Sequence, residues 1–219
     1  MENHTVNSYD NELNQLRISV INMANLVKDL IFIAKQAIQD PSKSFTEIAD
    51  STDKKINYFD AQAEHLAVQV IALRQPMAID LRQVIAALKL AVILERMGDL
   101  AKKISHRIEY LPIVLNPILV DLIHNIIINL ETLMTAAIDA YDRLDDPLAI
   151  EVSKQDAVID ELYCQIMELL QKEMVNKPKE SKALINIVLI ARNFERIGDY
   201  ITKIAYITHY IITGKKTDI

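Results

Sequence analysis

The pattern Glu-Arg-x-Gly-Asp occurs twice in this sequence, at residues 95–99 and again at residues 195–199. In each copy the two carboxylates are four residues apart, so on a helix they share one face, with β-carbons about 5–6 Å apart. Like charges at this spacing oppose helix formation by about 0.2–0.5 kcal/mol for each pair. A repeated unfavourable arrangement requires a cause. A bound cation is one candidate, because paired carboxylates in proteins commonly bind cations.

A similar spacing recurs earlier in each half of the chain, at residues 53–57, where an asparagine replaces the second acid, and at residues 156–160. Pro76 and Pro178 each lie close to midway between the earlier and the later pair of their half. If two antiparallel helices turn at each proline, both pairs of one half stand side by side at the same height. The sequence therefore predicts a first patch of Asp53, Asn57, Glu95 and Asp99, and a second patch of Asp156, Asp160, Glu195 and Asp199.

The predicted donors in both patches are oxygens, since no cysteine or paired histidine accompanies them. Such a set suits magnesium, calcium, manganese or iron better than a structural zinc ion. A ferritin-like di-iron site is excluded because it requires Glu-x-x-His on two helices. The nearest imitation, Asp121 with His124, is a single copy.

A simpler explanation for each motif is a surface ladder of salt bridges. Asp99 with Lys103, and Asp199 with Lys203, have the favourable four-residue spacing. The glycine inside each motif favours a site instead, because glycine in a helix interior costs about 1 kcal/mol relative to alanine. A bare α-carbon lets another helix or a bound group approach closely. The fourfold recurrence of the acidic pairs points in the same direction.

The elements that position these residues are long helices, since apolar residues recur at three- and four-residue steps and no segment alternates as a strand would. Six prolines separate the segments. The predicted helices are 7–39, 43–74, 76–111, 117–143, 147–175 and 179–213. The internal repeat groups them into two tandem three-helix bundles, residues 1–112 and 113–219, so the predicted fold class is all-α.

Composition excludes several classes of function. With a formal net charge of -6, the chain lacks the excess of basic residues that is typical of a nucleic-acid binder. No run of about 18 apolar residues is present, so no membrane-spanning helix is predicted, and residues 112–130 come closest. The single cysteine, Cys164, excludes an intramolecular disulfide, is consistent with a reducing cytosol, and is predicted to lie in the core. No P-loop, dinucleotide fingerprint, nucleophile elbow or His-Glu-x-x-His is found, so no enzyme is predicted.

Taken together, the motifs of this chain resemble the PhoU family, the phosphate-signalling regulators of bacteria. The resemblance covers nearly the whole chain in the family's order. It rests on RQPMAIDLR at 74–82, LERMGDLAKKI at 94–104, FERIGDYITKI at 194–204, and the acidic segments at 53–57 and 156–160.

This resemblance implies two three-helix bundles, a homodimer, and a cytoplasmic negative regulator of phosphate uptake and of the phosphate-starvation response. It implies an adaptor that links the phosphate ABC transporter, through its ATPase, to a sensor histidine kinase, and that meets the membrane only through partner proteins. Some members of the family carry metal ions or clusters on such motifs. Divalent or iron-type ions are therefore expected on Asp53, Asn57, Glu95, Asp99, Asp156, Asp160, Glu195 and Asp199.

Two departures bear on this expectation. The second half has no counterpart of Asp80 and Arg82, and Asn57 gives the first patch one charge fewer than the second, which should weaken cation binding there. An alternative function is metal handling or metal-dependent hydrolysis, which needs open coordination positions and a nearby acid or base. The sequence offers no dedicated base, so the adaptor is the favoured function.

Overall fold

The computed structural model of the chain describes residues 2–109, 111, 115–155 and 157–215, with the backbone alone for residues 2–7. These ranges are mostly helical and contain no strand, as the sequence predicts. A 3-10 turn, Pro178–Glu180, precedes the last helix. The α-helices are α1 (Glu2–Gln39), α2 (Thr46–Arg74), α3 (Ala78–Glu109), α4 (Pro117–Arg143), α5 (Asp146–Ser153), α6 (Ala157–Asn176) and α7 (Ser181–Thr213).

The starts of α4 and α5 follow the polar and proline signals of the sequence. The Asn116 side chain accepts a hydrogen bond from the backbone N–H of Ile118 at 3.0 Å before α4, and Asp145 caps α5 in the same manner. The predicted helix 147–175 is divided, however, into α5 and α6. At Lys154 and Gln155 the backbone N–H groups bond to carbonyls three residues back, which ends the α-helical pattern.

The helices α1, α2 and α3 pack against one another in all three pairings, and α7 packs against α4, α5 and α6. Contacts of α3 with α7 and of α1 with α4 join these two groups. Lys35 of α1 reaches Glu131 of α4 at 3.0 Å across this junction. Buried apolar side chains from all seven helices form one continuous cluster. The predicted bundle boundary falls at Pro112, outside the described residues, and stays a prediction.

By length and composition α4 is apolar enough to cross a membrane, although the sequence analysis predicted no such helix. One face of α4 is buried, including Leu119, Ile126 and Leu130, and packs on other helices of the chain. Its exposed face carries polar residues such as Asp121 and Asp139 beside isolated apolar ones. This two-sided pattern is typical of a helix that packs on a protein core.

The helix α6 contributes only a narrow stripe to the core, formed by Ile159, Ile166 and Leu170. Cys164 is exposed, so its predicted place in the core is wrong. It lies on the side of α6 opposite the buried stripe, where the helical period places it. The apolar run around this cysteine therefore belongs to an amphipathic helix, and Cys164 lies on its exposed face.

The RQPMAIDLR stretch, residues 74–82, connects the end of the molecule where α2 meets α3 to other helices. Arg74 donates to both carboxylate oxygens of Glu12, at 2.9 and 2.6 Å, which ties α2 to α1. The hydroxyl of Tyr9 donates to Asp80 at 2.8 Å, which ties α1 to α3. Arg82 donates to the carbonyl of Ile211 at 2.9 Å, near the end of α7. This stretch has a structural role, because it bonds the start of α1 and the end of α7 to the turn between α2 and α3.

Replacing Tyr9 by phenylalanine is expected to lower the free energy of unfolding by about 1 kcal/mol near neutral pH, because Asp80 loses its hydroxyl donor. Burial, followed by the hydrogen bond to Asp80, raises the pKa of Tyr9 from 10.0 to about 12. The folded chain therefore holds this proton more tightly than the unfolded chain does. The stabilisation is fully present below pH 10 and is lost as the pH rises through 12.

Urea denaturation of the wild type and of Tyr9→Phe, at neutral pH and at several values between pH 10 and 12, measures this difference. The gap between the two proteins should close as the pH rises. A gap that stays constant over the whole range would show that the hydrogen bond is not what the phenylalanine removes.

Candidate functional site

The helix α2 carries a buried stripe with a seven-residue interval, formed by Ala49, Ile56, Ala63 and Val70, and packs between α1 and α3. Asp53 lies beside this stripe and is only 5% exposed. An unpaired carboxylate in such a position would be strongly destabilising. The position therefore requires a cationic partner.

That partner is Lys102 of α3, which lies between two carboxylates of the first patch. Its Nζ is 2.5 Å from Oδ2 of Asp53 and 2.9 Å from Oδ1 of Asp99. The Nζ of Lys103 reaches the other oxygen of Asp99 at 3.3 Å, so the predicted salt bridge between those two residues is present. The bridge formed by Lys102 was not predicted, and it places an ammonium group at the centre of the first patch.

The carboxylates of the first patch differ in their charge environment. Burial acts to raise the pKa of Asp99, but its lysine partners outweigh burial and lower it below the ordinary value. Burial, and then the charges of Asp99, Asp60 and Asp53, raise the pKa of Glu95. Burial opposes the charge of Lys102, yet its two carboxylate partners raise its pKa. Glu95 is thus the carboxylate of the patch that the lysine compensates least.

The register between α2 and α3 differs from the predicted one. Asp60 takes the place near Glu95 that was predicted for Asn57, and Asn57 is exposed. The reason is that residues 75–77 are not helical, so the helices do not turn at a single residue. Asp60 could have been found from the sequence, because it follows Asp53 by seven residues, the interval of the buried stripe.

Gly98 makes room for a neighbouring helix. A β-carbon at this position would lie 2.7 Å from Cδ1 of Ile56 and 3.7 Å from Oδ1 of Asp53. The missing side chain therefore lets the fully buried Ile56 pack against α3. Of the two explanations for this glycine, the structure supports the close approach of another helix.

The second Glu-Arg-x-Gly-Asp copy occupies the same kind of environment as the first. Residues 91–108 of α3 align with residues 191–208 of α7. At every aligned position the two side chains have the same degree of burial, whether buried, half-buried or exposed. Glu195 and Asp199 are half-buried, as their counterparts in α3 are. The sequence repeat is therefore a structural repeat in these two helices.

The α6 side of the second patch is less complete. Asp160 is exposed, like its counterpart Asn57 in the first half. Asp156, the counterpart of the buried Asp53, lies outside the described residues. The described part of the second patch is therefore the pair Glu195 and Asp199 on α7.

The two patches also differ at the position of the bridging lysine. Thr202 stands where the first patch has Lys102, and its hydroxyl donates to a backbone carbonyl one turn earlier at 3.3 Å. The Nζ of Lys203 lies 4.7 Å from the centre of the Tyr200 ring. Within the described part of the second patch, no ammonium group stands at the position that Lys102 has in the first.

Within the described ranges, no group of three histidine, cysteine, aspartate or glutamate side chains is arranged to hold a metal ion. In the first patch, the ammonium of Lys102 takes the position that a cation would need between Asp53 and Asp99. No lysine corresponds to it in the second patch. The described residues of the second patch on α7 are Glu195 and Asp199 alone, and metal binding by the eight predicted ligands stays a prediction.

Replacing Lys102 by methionine is expected to lower the free energy of unfolding by about 3 kcal/mol, because the buried carboxylate of Asp53 loses its partner. Adding Asp53→Asn should recover most of this loss, since a neutral amide no longer needs the ammonium. Lys103→Met is the matched control. It removes an exposed partner of Asp99 and should cost less than about 1 kcal/mol. Urea denaturation measures all four proteins, and equal losses for both lysines would contradict the assignment.

A family model described as the PhoU domain matches this chain twice, at residues 20–108 and at residues 126–208. The chain is 34% identical over 218 residues to the phosphate-specific transport system accessory protein PhoU homolog of Caulobacter vibrioides, and the match covers 99% of this chain and 94% of that protein. It is 32% identical over 220 residues to the protein of the same name from Zymomonas mobilis, with 97% and 90% covered.

Solved structures agree with these relatives. The crystal structure of PhoU from Pseudomonas aeruginosa matches with a TM-score of 0.89 at 29% identity, covering 94% of this chain and 100% of that one. The phosphate transport system regulatory protein PhoU from Streptococcus pneumoniae matches with a TM-score of 0.87 at 25% identity, covering 96% and 100%. Each of the two segments that match the family model contains one Glu-Arg-x-Gly-Asp copy. The chain belongs to the PhoU family.

Proposed function

We propose that this protein is a negative regulator of phosphate uptake and of the phosphate-starvation response. The observation that carries this proposal is the nearly full-length match to relatives named as accessory proteins of the phosphate-specific transport system. The protein acts in the cytoplasm as a homodimeric adaptor, and not as an enzyme. Its partners are the ATPase of the phosphate ABC transporter and a sensor histidine kinase.

An adaptor needs a docking surface, and the end of the molecule where α2 meets α3 has suitable properties. Leu73 is 75% exposed and Met77 is 79% exposed, on either side of the turn between these helices. The turn itself is held by Arg74 and Asp80, which bond to side chains of α1. Exposed apolar side chains on a fixed base support protein–protein contact, because they are buried on docking without ordering a loop.

Deleting the gene is expected to raise alkaline phosphatase expression in cells grown at high phosphate, because the starvation response loses its negative regulator. Returning the wild-type gene should restore repression. A Leu73→Ser/Met77→Ser variant should fail to restore it, because the docking surface is lost. Reporter activity measures expression, and immunoblotting checks that the variants accumulate equally.

The matched control is Val175→Ser, which removes an apolar residue, 81% exposed, near the corresponding end of α6. This variant should repress like the wild type. Unchanged alkaline phosphatase after gene deletion would rule out the regulatory role. Full repression by the double serine variant would be consistent with the regulatory role but would show that Leu73 and Met77 do not form the docking surface.

A metal ion is part of this proposal at the second patch. Support comes from Glu195 and Asp199, which are half-buried and repeat on α7 the four-residue spacing of Glu95 and Asp99. Carboxylates in this setting favour a hard cation such as magnesium, manganese or iron. The ion would lower the repulsion between carboxylates that share a helix face.

The metal content of untagged protein, purified without chelator and incubated with iron, manganese, zinc or magnesium, tests this assignment. Glu195→Gln/Asp199→Asn should remove most of the metal measured by mass spectrometry. The matched variant, Glu95→Gln/Asp99→Asn, should retain it, and circular dichroism shows whether each variant is folded. Equal metal content in all three proteins, or loss from the matched variant alone, would contradict the assignment.

A further inference from the structure

A pocket of about 200 Å³ lies between α3 and α7, where the two halves of the chain meet. It is separate from the carboxylate face that packs toward α2, although Asp99 borders both. Its lining combines matching positions from the two motif copies. The lining residues are Arg96, Asp99, Leu100 and Lys103 from α3, and Arg196 and Tyr200 from α7.

The helical period explains why these residues share a face. Arg96, Leu100 and Lys103 are spaced at zero, four and seven residues along α3, which places them in one row. Arg196 and Tyr200 repeat the first two positions of that row on α7. Because α3 packs against α7, the row of one copy faces the row of the other. The duplication therefore brings two arginines to one place.

The pocket has an excess of positive charge in a chain whose formal net charge is -6. Among the described residues, the salt bridges engage neither Arg96 nor Arg196. The bordering carboxylate, Asp99, is already shared by two lysines. Glu95 also feels the charge of Arg96, but it lies outside the lining of the pocket.

We propose that this pocket binds a phosphate-type oxyanion, either inorganic phosphate or the phosphoryl group of a small phosphate ester. The planar guanidinium groups of Arg96 and Arg196 donate paired hydrogen bonds to oxyanions, and Lys103 supplies a third cation. The buried ring of Tyr200 lines the pocket beside them. A bound oxyanion would be held by both halves of the chain at once. This site is inferred from its own geometry and does not rest on the proposed regulatory role.

Isothermal titration of the full chain with inorganic phosphate, and separately with glycerol phosphate, tests the site. We expect saturable binding of at least one of them by the wild type. Arg96→Gln/Arg196→Gln should weaken it by more than about tenfold, because two charged donors are lost. Arg192→Gln is the matched control, since Arg192 is exposed on α7 but does not line the pocket. It should change the affinity by less than about twofold, because only long-range attraction is altered.

Binding of inorganic phosphate would identify the free ion as a ligand, and binding of the ester alone would identify a phosphorylated small molecule. Absence of binding in both titrations at millimolar concentrations would overturn the proposal. So would an equal loss of affinity in the double variant and in the Arg192 control. Arg96→Lys/Arg196→Lys keeps the charge without the planar donors and should bind with intermediate affinity. Thermal melting of each variant separates lost binding from lost folding.

Discussion

The packing of α3 against α7 is the contact on which the arrangement of both motif copies depends. Each of these helices has its own group of neighbours, yet each also faces the other along its length. The identical burial order of residues 91–108 and 191–208 shows that both helices meet the same constraints. In α3 the motif aspartate bonds to Lys102, which also holds Asp53 of α2, while the motif arginine lines the pocket between α3 and α7. One short pattern therefore supplies both an acidic face and a basic face.

The exchange of Lys102 for Thr202 is one difference that changes the electrostatics of the two acidic patches. With Lys102, the first patch holds the buried Asp53 and its neighbour Asp99 around an internal cation. Thr202 at the matching position of α7 satisfies its hydroxyl within its own helix and leaves the acids to other partners. The spacing that makes the copies look alike in sequence is therefore compatible with different charge balances. The charge balance of a patch is set by the residue that pairs with the acids, such as Lys102, and not by the Glu-Arg-x-Gly-Asp motif itself.

Much of the fold could be predicted from the sequence, because prolines and three- to four-residue apolar steps mark these helices directly. The break between α5 and α6 could not, since neither glycine nor proline stands near Lys154. The register of α2 on α3 was missed because the turn has irregular backbone, with positive φ at both Gln75 and Ala78. The bridging role of Lys102 depends on that register. Asp60 was nevertheless visible in the sequence, because it follows Asp53 by seven residues, the interval of the buried stripe of α2.

The continuous core described above has a consequence for how the chain folds. Buried side chains from both halves touch within one cluster, so unfolding either half exposes apolar surface of the other. We therefore expect the two halves to melt together as one cooperative unit, in contrast to solenoid repeats that fray one module at a time. A destabilising substitution in one half would then lower the free energy of unfolding of the whole chain. The duplicated architecture thereby acts as one thermodynamic body.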